Sequence, residues 1–118
     1  MAIRIASKRK CLPTWIHGDL HPRNVLAQEG QITGIIDWGD ISSGDPATDL
    51  ASVWMLLSER ITRERALFDY GADANTVLRA KGWAVFLAVM LLDTGILDHP
   101  RHAAIGYTAI RQLREDYV

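Results

Sequence analysis

The stretch Trp15-Ile16-His17-Gly18-Asp19-Leu20-His21-Pro22-Arg23-Asn24-Val25-Leu26 decides the fold, together with Gly34-Ile35-Ile36-Asp37-Trp38-Gly39-Asp40 downstream. Polar residues are set here between short apolar runs. Trp15-Ile16 is one run, Asn24 to Ala27 a second, and Ile32 to Trp38 a third. Gln28-Glu29-Gly30-Gln31 reads as a turn, so the second and third runs predict a β-hairpin. Gly39 to Gly44 reads as a loop. One hairpin region would then present Asp19, Asn24 five residues later, and Asp37 thirteen residues beyond that, on the next strand. Polar groups among apolar strand residues need partners, or a function that offsets their cost.

Outward from this segment the character of the chain changes near residue 45. Asp45-Pro46 opens a helix, with Asp as N-cap and Pro at the first helical position. Asp49 adds negative charge near that N-terminus. Leu50, Val53, Trp54 and Leu57 then recur at helical spacing. A second helix is predicted from about Thr62 to Tyr70, ending at Gly71. A third, from about Asn75 to Leu97, is apolar nearly all round in its middle, which predicts a central buried helix. Pro100 opens a fourth that ends near Asp116. The expected fold class is α+β: a small hairpin followed by helices.

Composition bounds the function. The chain has 118 residues, 48% of them hydrophobic and 23% charged, which excludes disordered and fibrous classes. That length fits one domain and leaves no room for a separate cofactor domain. Thirteen basic and fourteen acidic residues give a net charge of −1, so nothing draws the chain to nucleic acid or an anionic membrane. Arg4, Lys8, Arg9 and Lys10 read as a solvated, flexible N-terminus. The single cysteine, Cys11, forms no internal disulfide and fits a reducing cytoplasm. The ten-residue apolar run Trp83 to Leu92 is about half a membrane span and reads as a core helix.

Phosphoryl transfer explains the polar set. It needs a carboxylate to take or orient the proton of an attacking hydroxyl, and oxygen ligands for the Mg²⁺ that neutralises the phosphates. Asp19 suits the base. Asn24 and Asp37 offer the hard oxygens that Mg²⁺ prefers.

Three segments, residues 15–26, residues 34–40 and Gly44-Asp45-Pro46-Ala47-Thr48-Asp49-Leu50-Ala51, closely resemble the aminoglycoside phosphotransferase family. The resemblance extends more loosely to Phe68-Asp69-Tyr70-Gly71 and Trp83-Ala84. It implies the C-terminal-lobe portion of a protein-kinase-like fold, mainly helical with a catalytic-loop hairpin. It also implies transfer of a phosphoryl group from ATP, or GTP, to a hydroxyl of a small molecule such as an antibiotic. Asp19 matches the family's catalytic Asp, Asn24 and Asp37 its metal ligands, and His17 the histidine opening the catalytic loop. The family's phosphate-covering loop, its strand lysine paired to a helix glutamate and its adenine hinge have no counterparts in the residues before Trp15. The chain therefore reads as a single partial domain. Residues 1–12 would be a flexible N-terminus, 13–45 the catalytic and metal-binding hairpin, and 46–118 a helical subdomain. Alone it would be incomplete and inactive, with apolar surface left bare for self-association. The alternative is a catalytically silent remnant serving as a binding or oligomerising module.

Plainer readings stand beside these. Asp19 could cap a turn, Asn24 could bond local backbone, and Asp37 could be a buried structural carboxylate. His17 reads as a group that holds the loop rather than one that moves protons. His17-x-Asp19-x-His21 could chelate zinc, but no further Cys or His cluster completes a site. Asp40 reads as a loop hydrogen-bonding residue, Asp45 and Asp49 as capping and fold-holding groups, and Arg23 as solvated. Trp54, Trp83, Phe86, Met90 and Leu91 read as core. Glu59, Asp93 and Asp98 could face a cationic substrate.

Overall fold

The computed structural model describes residues 13–117; the basic N-terminal cluster, Cys11 and the expected flexible segment lie outside them. Two antiparallel strand pairs come first. β1 (Thr14–Ile16) pairs with β4 (Ser42–Gly44), with Ile16 opposite Ser42. Nested between them, β2 (Val25–Gln28) pairs with β3 (Gln31–Ile35), with Val25 opposite Ile35. The turn of this inner hairpin holds Glu29 and Gly30 at φ 52° and 77°. Positive φ at both central residues matches the twist of the flanking strands, so the turn predicted from Gln28 to Gln31 forms. β4 was expected as loop. Ser42, Ser43 and Gly44 carry no apolar pattern, and they pair through backbone alone.

Five helices follow. α1 (Ala47–Leu50) and α2 (Val53–Leu56) are single turns separated at Ala51-Ser52, where one continuous helix was expected. The helix begins one residue later than expected, with Pro46 rather than Asp45 at its N-cap, though the Asp45 carboxylate still accepts from the Ala47 N–H at 3.0 Å. α3 (Arg60–Tyr70) ends on Gly71, which takes the left-handed conformation at φ 84°. α4 (Ala74–Leu97) is capped by Asp73, which accepts from the Thr76 N–H at 2.8 Å. α5 (Pro100–Asp116) returns along α4.

The core lies where α1, α2 and α3 meet the α4–α5 pair. Trp54, Ala47, Ala51 and Leu67 pack with Ala80, Ala84 and Leu113. A second cluster joins Met55, Ala88 and Ala109. Ala80, Ala84 and Ala88 repeat every four residues, so one narrow face of α4 lets its neighbours approach closely. A Cβ on Gly95 would lie 2.2 Å from the Ala103 backbone nitrogen, and one on Gly106 2.7 Å from the Ala88 carbonyl oxygen. Helix contact is set by these small side chains.

α4 is not the all-round buried helix that its composition predicts. Trp83, Val85, Phe86, Val89 and Ile96 are exposed. By length and composition alone this helix could cross a membrane, and within this fold it is instead one member of a packed helical pair. The apolar character of its middle thus serves two faces, and only one is covered by the described residues.

A buried arginine closes the helical part. Arg63 on α3 has no solvent exposure. Its Nε and Nη2 donate to Asp116 at 3.0 and 2.9 Å, and Nη2 also to Glu115 at 3.0 Å. Nη1 donates to the Gln112 side chain and to the Leu57 carbonyl at 2.6 and 2.9 Å. All five guanidinium hydrogens are thereby used, which is what burial of this cation requires. Trp54 Nε1 donates to the same Asp116 carboxylate at 2.8 Å. Burial pushes the Asp116 carboxyl up, but the hydrogen bonds from Arg63 and Trp54 and the nearby charges of Arg63 and Arg60 hold it below its ordinary value.

Candidate active site

The loop between β1 and β2 carries His17, Asp19 and Asn24, and it is held from both ends. The Asp49 carboxylate on α1 accepts from the His17 N–H at 2.7 Å and from the Gly18 N–H at 3.0 Å. Gly18 sits at φ 91°, and a Cβ there would lie 2.7 Å from the Asp40 carbonyl oxygen, so only glycine fits. His17 is 3% exposed, with its ring 4.6 Å from that of Trp38. Its Nδ1 accepts from the Asp19 N–H at 3.1 Å, which places the ring hydrogen on Nε2, 2.8 Å from the Ile36 carbonyl that accepts it. Both ring nitrogens are spent on backbone, so His17 positions the loop.

Asp19 and Asn24 meet directly. Asn24 is buried and stands at the end of a single 3₁₀ turn, Pro22–Asn24. Its amide nitrogen donates to the Asp19 carbonyl at 2.8 Å and to the Asp19 carboxylate at 3.3 Å. This fixes the amide so that its carbonyl oxygen is the free branch. The Asp19 side chain is 45% exposed, and His21 Nε2 lies 3.4 Å from its other oxygen. Because His21 Nδ1 accepts from the Arg23 N–H at 3.2 Å, the hydrogen of the neutral His21 ring faces Asp19. Asp19 thus receives two long contacts and keeps open lone pairs toward the cavity beside it.

Asp37 comes alongside by strand pairing. The Ile36 N–H donates to the Asn24 carbonyl at 2.9 Å, so the next residue, Asp37, leaves the sheet beside Asn24. It does so at φ 61°, just past the end of β3 rather than on the strand as expected, and it is exposed rather than buried. An amide oxygen and a carboxylate from the two sides of one hairpin suit Mg²⁺, which takes one or two protein ligands and completes its shell with water and phosphate. Among the described residues, no group of three His, Cys, Asp or Glu could hold a metal ion. The zinc arrangement of His17, Asp19 and His21 is therefore not formed.

A cavity of about 400 Å³ opens at Asp19. Leu20, Met55, Leu87, Met90 and Leu91 supply its apolar wall. Asp19, His21, Thr94, His99 and His102 supply its polar groups. Leu91 packs against the second core cluster as expected while also reaching this wall, whereas Met90 is exposed and lines the site; Trp83 and Phe86 are exposed and stack edge to face on one another at 5.8 Å. Glu59, Asp93 and Asp98 are absent from the lining. Arg23 is not simply solvated. Its Nη1 donates to His102 Nε2 at 2.9 Å and ties the loop to α5. Burial pushes the His102 imidazole below its ordinary value, reinforced by the charge of Arg23 and by His99 and His21, against an opposing pull from Asp19. Sequence reasoning did not single out His99 and His102. Their signal was two histidines three apart in the first turn of a helix.

Comparison with known proteins gives this geometry its context. The phosphotransferase enzyme family APH matches residues 4–87. The chain belongs to this family. It is 34% identical over 68 residues to viomycin phosphotransferase of Streptomyces vinaceus, covering 54% of this chain and 24% of that enzyme. It is 37% identical over 107 residues to the uncharacterized protein YcbJ of Bacillus subtilis (strain 168), covering 80% of this chain and 34% of YcbJ. The fold is similar to the crystal structure of a thermostable mutant of aminoglycoside phosphotransferase APH(4)-Ia, with TM-score 0.56 and 19% identity. That match covers 98% of this chain and 44% of the other. The α+β, kinase-like fold expected for an APH phosphotransferase is thus present, and the chain spans less than half the length of these proteins.

Proposed function

We propose that this chain carries the base and metal-binding part of a cytoplasmic phosphotransferase that moves the γ-phosphoryl group of ATP, or GTP, to a hydroxyl of a small molecule such as an antibiotic. One observation carries the reading. Asn24 holds Asp19 by two contacts, while hairpin pairing sets Asp37 beside Asn24. In the mechanism, Asp19 accepts the hydroxyl proton of an acceptor seated in the adjoining cavity. The Asn24 amide oxygen and the Asp37 carboxylate would hold Mg²⁺, which supplies neutralisation of phosphate charge. His17 fixes the backbone of Asp19, and Asp49 fixes the loop beneath it. The exposed Asp19 and Asp37 leave the reacting side open to water. Positioning and water exclusion supply most of the rate in this chemistry, so the chain alone is expected to be inactive.

Manganese titration followed by NMR line broadening tests the reading. Broadening centred on Asn24 and Asp37, and lost in Asp37→Ala, is expected. Equal broadening in wild type and Asp37→Ala would remove the metal site and with it the proposed role.

The exposed apolar face of α4 favours the second reading, a silent binding or oligomerising module. Under that reading manganese broadens nothing near Asp37, and light scattering shows self-association. Both readings expect self-association, and a strictly monomeric chain at high concentration would contradict it.

A further inference from the structure

The acceptor cavity also constrains its ligand, on the reading that Asp19 is the base. Its wall is aliphatic and thioether, from Met55, Leu87, Met90 and Leu91. Asp19 is the sole carboxylate among the lining residues. Thr94 turns its hydroxyl back to the Met90 and Leu91 carbonyls at 3.0 and 3.3 Å, so it is already paired. The fixed charge at the opposite rim is positive, since Arg23 lies on His102. A polycation entering this space would lose water at each ammonium group and find one carboxylate, with a guanidinium nearby.

His102 is occupied by Arg23. Arg23 donates only, so His102 Nε2 accepts and the hydrogen of the neutral ring sits on Nδ1. That Nδ1 is buried without a partner among the described residues. A buried Nδ1 gives a ligand no atom to reach, so the His102 side of the wall supplies neither a hydrogen bond nor an anion for a cationic ligand.

We infer that the acceptor is an uncharged, largely apolar, drug-sized alcohol rather than a polyamine sugar. The cavity volume of about 400 Å³ suits a ligand of that size. The apolar body lies on Met55 and Met90, and the hydroxyl reaches Asp19.

Methyl-labelled methionine reads this out on the intact chain. Met55 and Met90 line the cavity, and an added inert standard serves as reference. Chloramphenicol, neutral and aromatic with free hydroxyls, and kanamycin, polycationic, are the two probes. Chloramphenicol is expected to shift both methyl signals saturably, with an apparent Kd roughly tenfold or more below that of kanamycin. Thr94→Glu, at an exposed wall position, should reverse the preference; Met90→Glu is the second variant should the first fold poorly. Kanamycin shifting the same methyls at equal or lower concentration would overturn the inference, as would chloramphenicol leaving both unmoved. Manganese titration on the same samples separates the two failures. Loss of the metal site defeats the enzymatic reading, whereas an intact metal site with kanamycin in the cavity defeats only the ligand class.

Discussion

The hairpin region and the helical region are stabilised in opposite ways. Around Arg63, every polar group is met from within the chain, and α4 and α5 touch through alanine and glycine. Around Asp19, the backbone is tightly held but the functional atoms are not. Asp49 takes up two N–H groups of the loop and His17 takes up a third, while Asp19 and Asp37 face outward. The Arg63 network satisfies itself. The hairpin satisfies its frame and leaves unfilled valences for something else to complete.

That contrast can be broken at its strongest point first. Arg63→Ala removes a buried cation and strands the Asp116 carboxylate beside Trp54. A loss of about 3–5 kcal/mol is expected in urea denaturation. A loss under a third of that would show that the helical region does not depend on this network. Next, Gly18→Ala forces a side chain into a left-handed position against the Asp40 carbonyl. It should cost about 1–3 kcal/mol. Amide exchange should rise at His17 and Asp19 while α4 and α5 stay protected, and uniform loss of protection would erase the distinction between the regions.

Acid gives a milder test. The Asp116 carboxyl is held below its ordinary value, so its stabilisation is complete above the ordinary carboxylate range. It is lost as pH falls below that range through the folded-state value. Asp45, lowered chiefly by its hydrogen bond from Arg79, acts in the same direction but is partly exposed and contributes less. Asp116→Asn should flatten the acid limb of a stability-against-pH curve, and an unchanged limb would place the acid sensitivity elsewhere. Smallest of all, Asp37→Asn should change stability by no more than about 0.5 kcal/mol. It should nonetheless weaken manganese binding. A large loss of stability there would make Asp37 structural and align the hairpin with the helical region.

Legibility followed the same division. The inner hairpin, its turn and the ends of α3, α4 and α5 could be read from local pattern, because turn chemistry, caps and glycine stops act over a few residues. Asp19, Asn24 and Asp37 stood out because polar groups at fixed spacing sat among apolar runs. Asp49 was recognised as fold-holding, but its partners, the N–H groups of His17 and Gly18, lie some thirty positions earlier and leave no periodic trace. The Arg63 network was invisible for the same reason, since Asp116 and Gln112 reach it from the far end of the chain. α4 misled because an apolar sequence records that a surface avoids water, not whether a neighbour covers it. The cavity was missed because its wall joins α2, α4 and α5 only after folding.

The two hydrogen bonds from Asp49 carry a practical corollary for anyone dividing this chain into modules. The stretch between β4 and α1 looks like a natural seam, and cutting there would detach the loop that carries Asp19 from the Asp49 carboxylate that holds its backbone. A split version, a circular permutant or a graft of the loop onto another scaffold has to carry residues 14 to 50 as one cassette. The tighter place to open the chain is the left-handed turn at Gly71, where helices on both sides are independently capped.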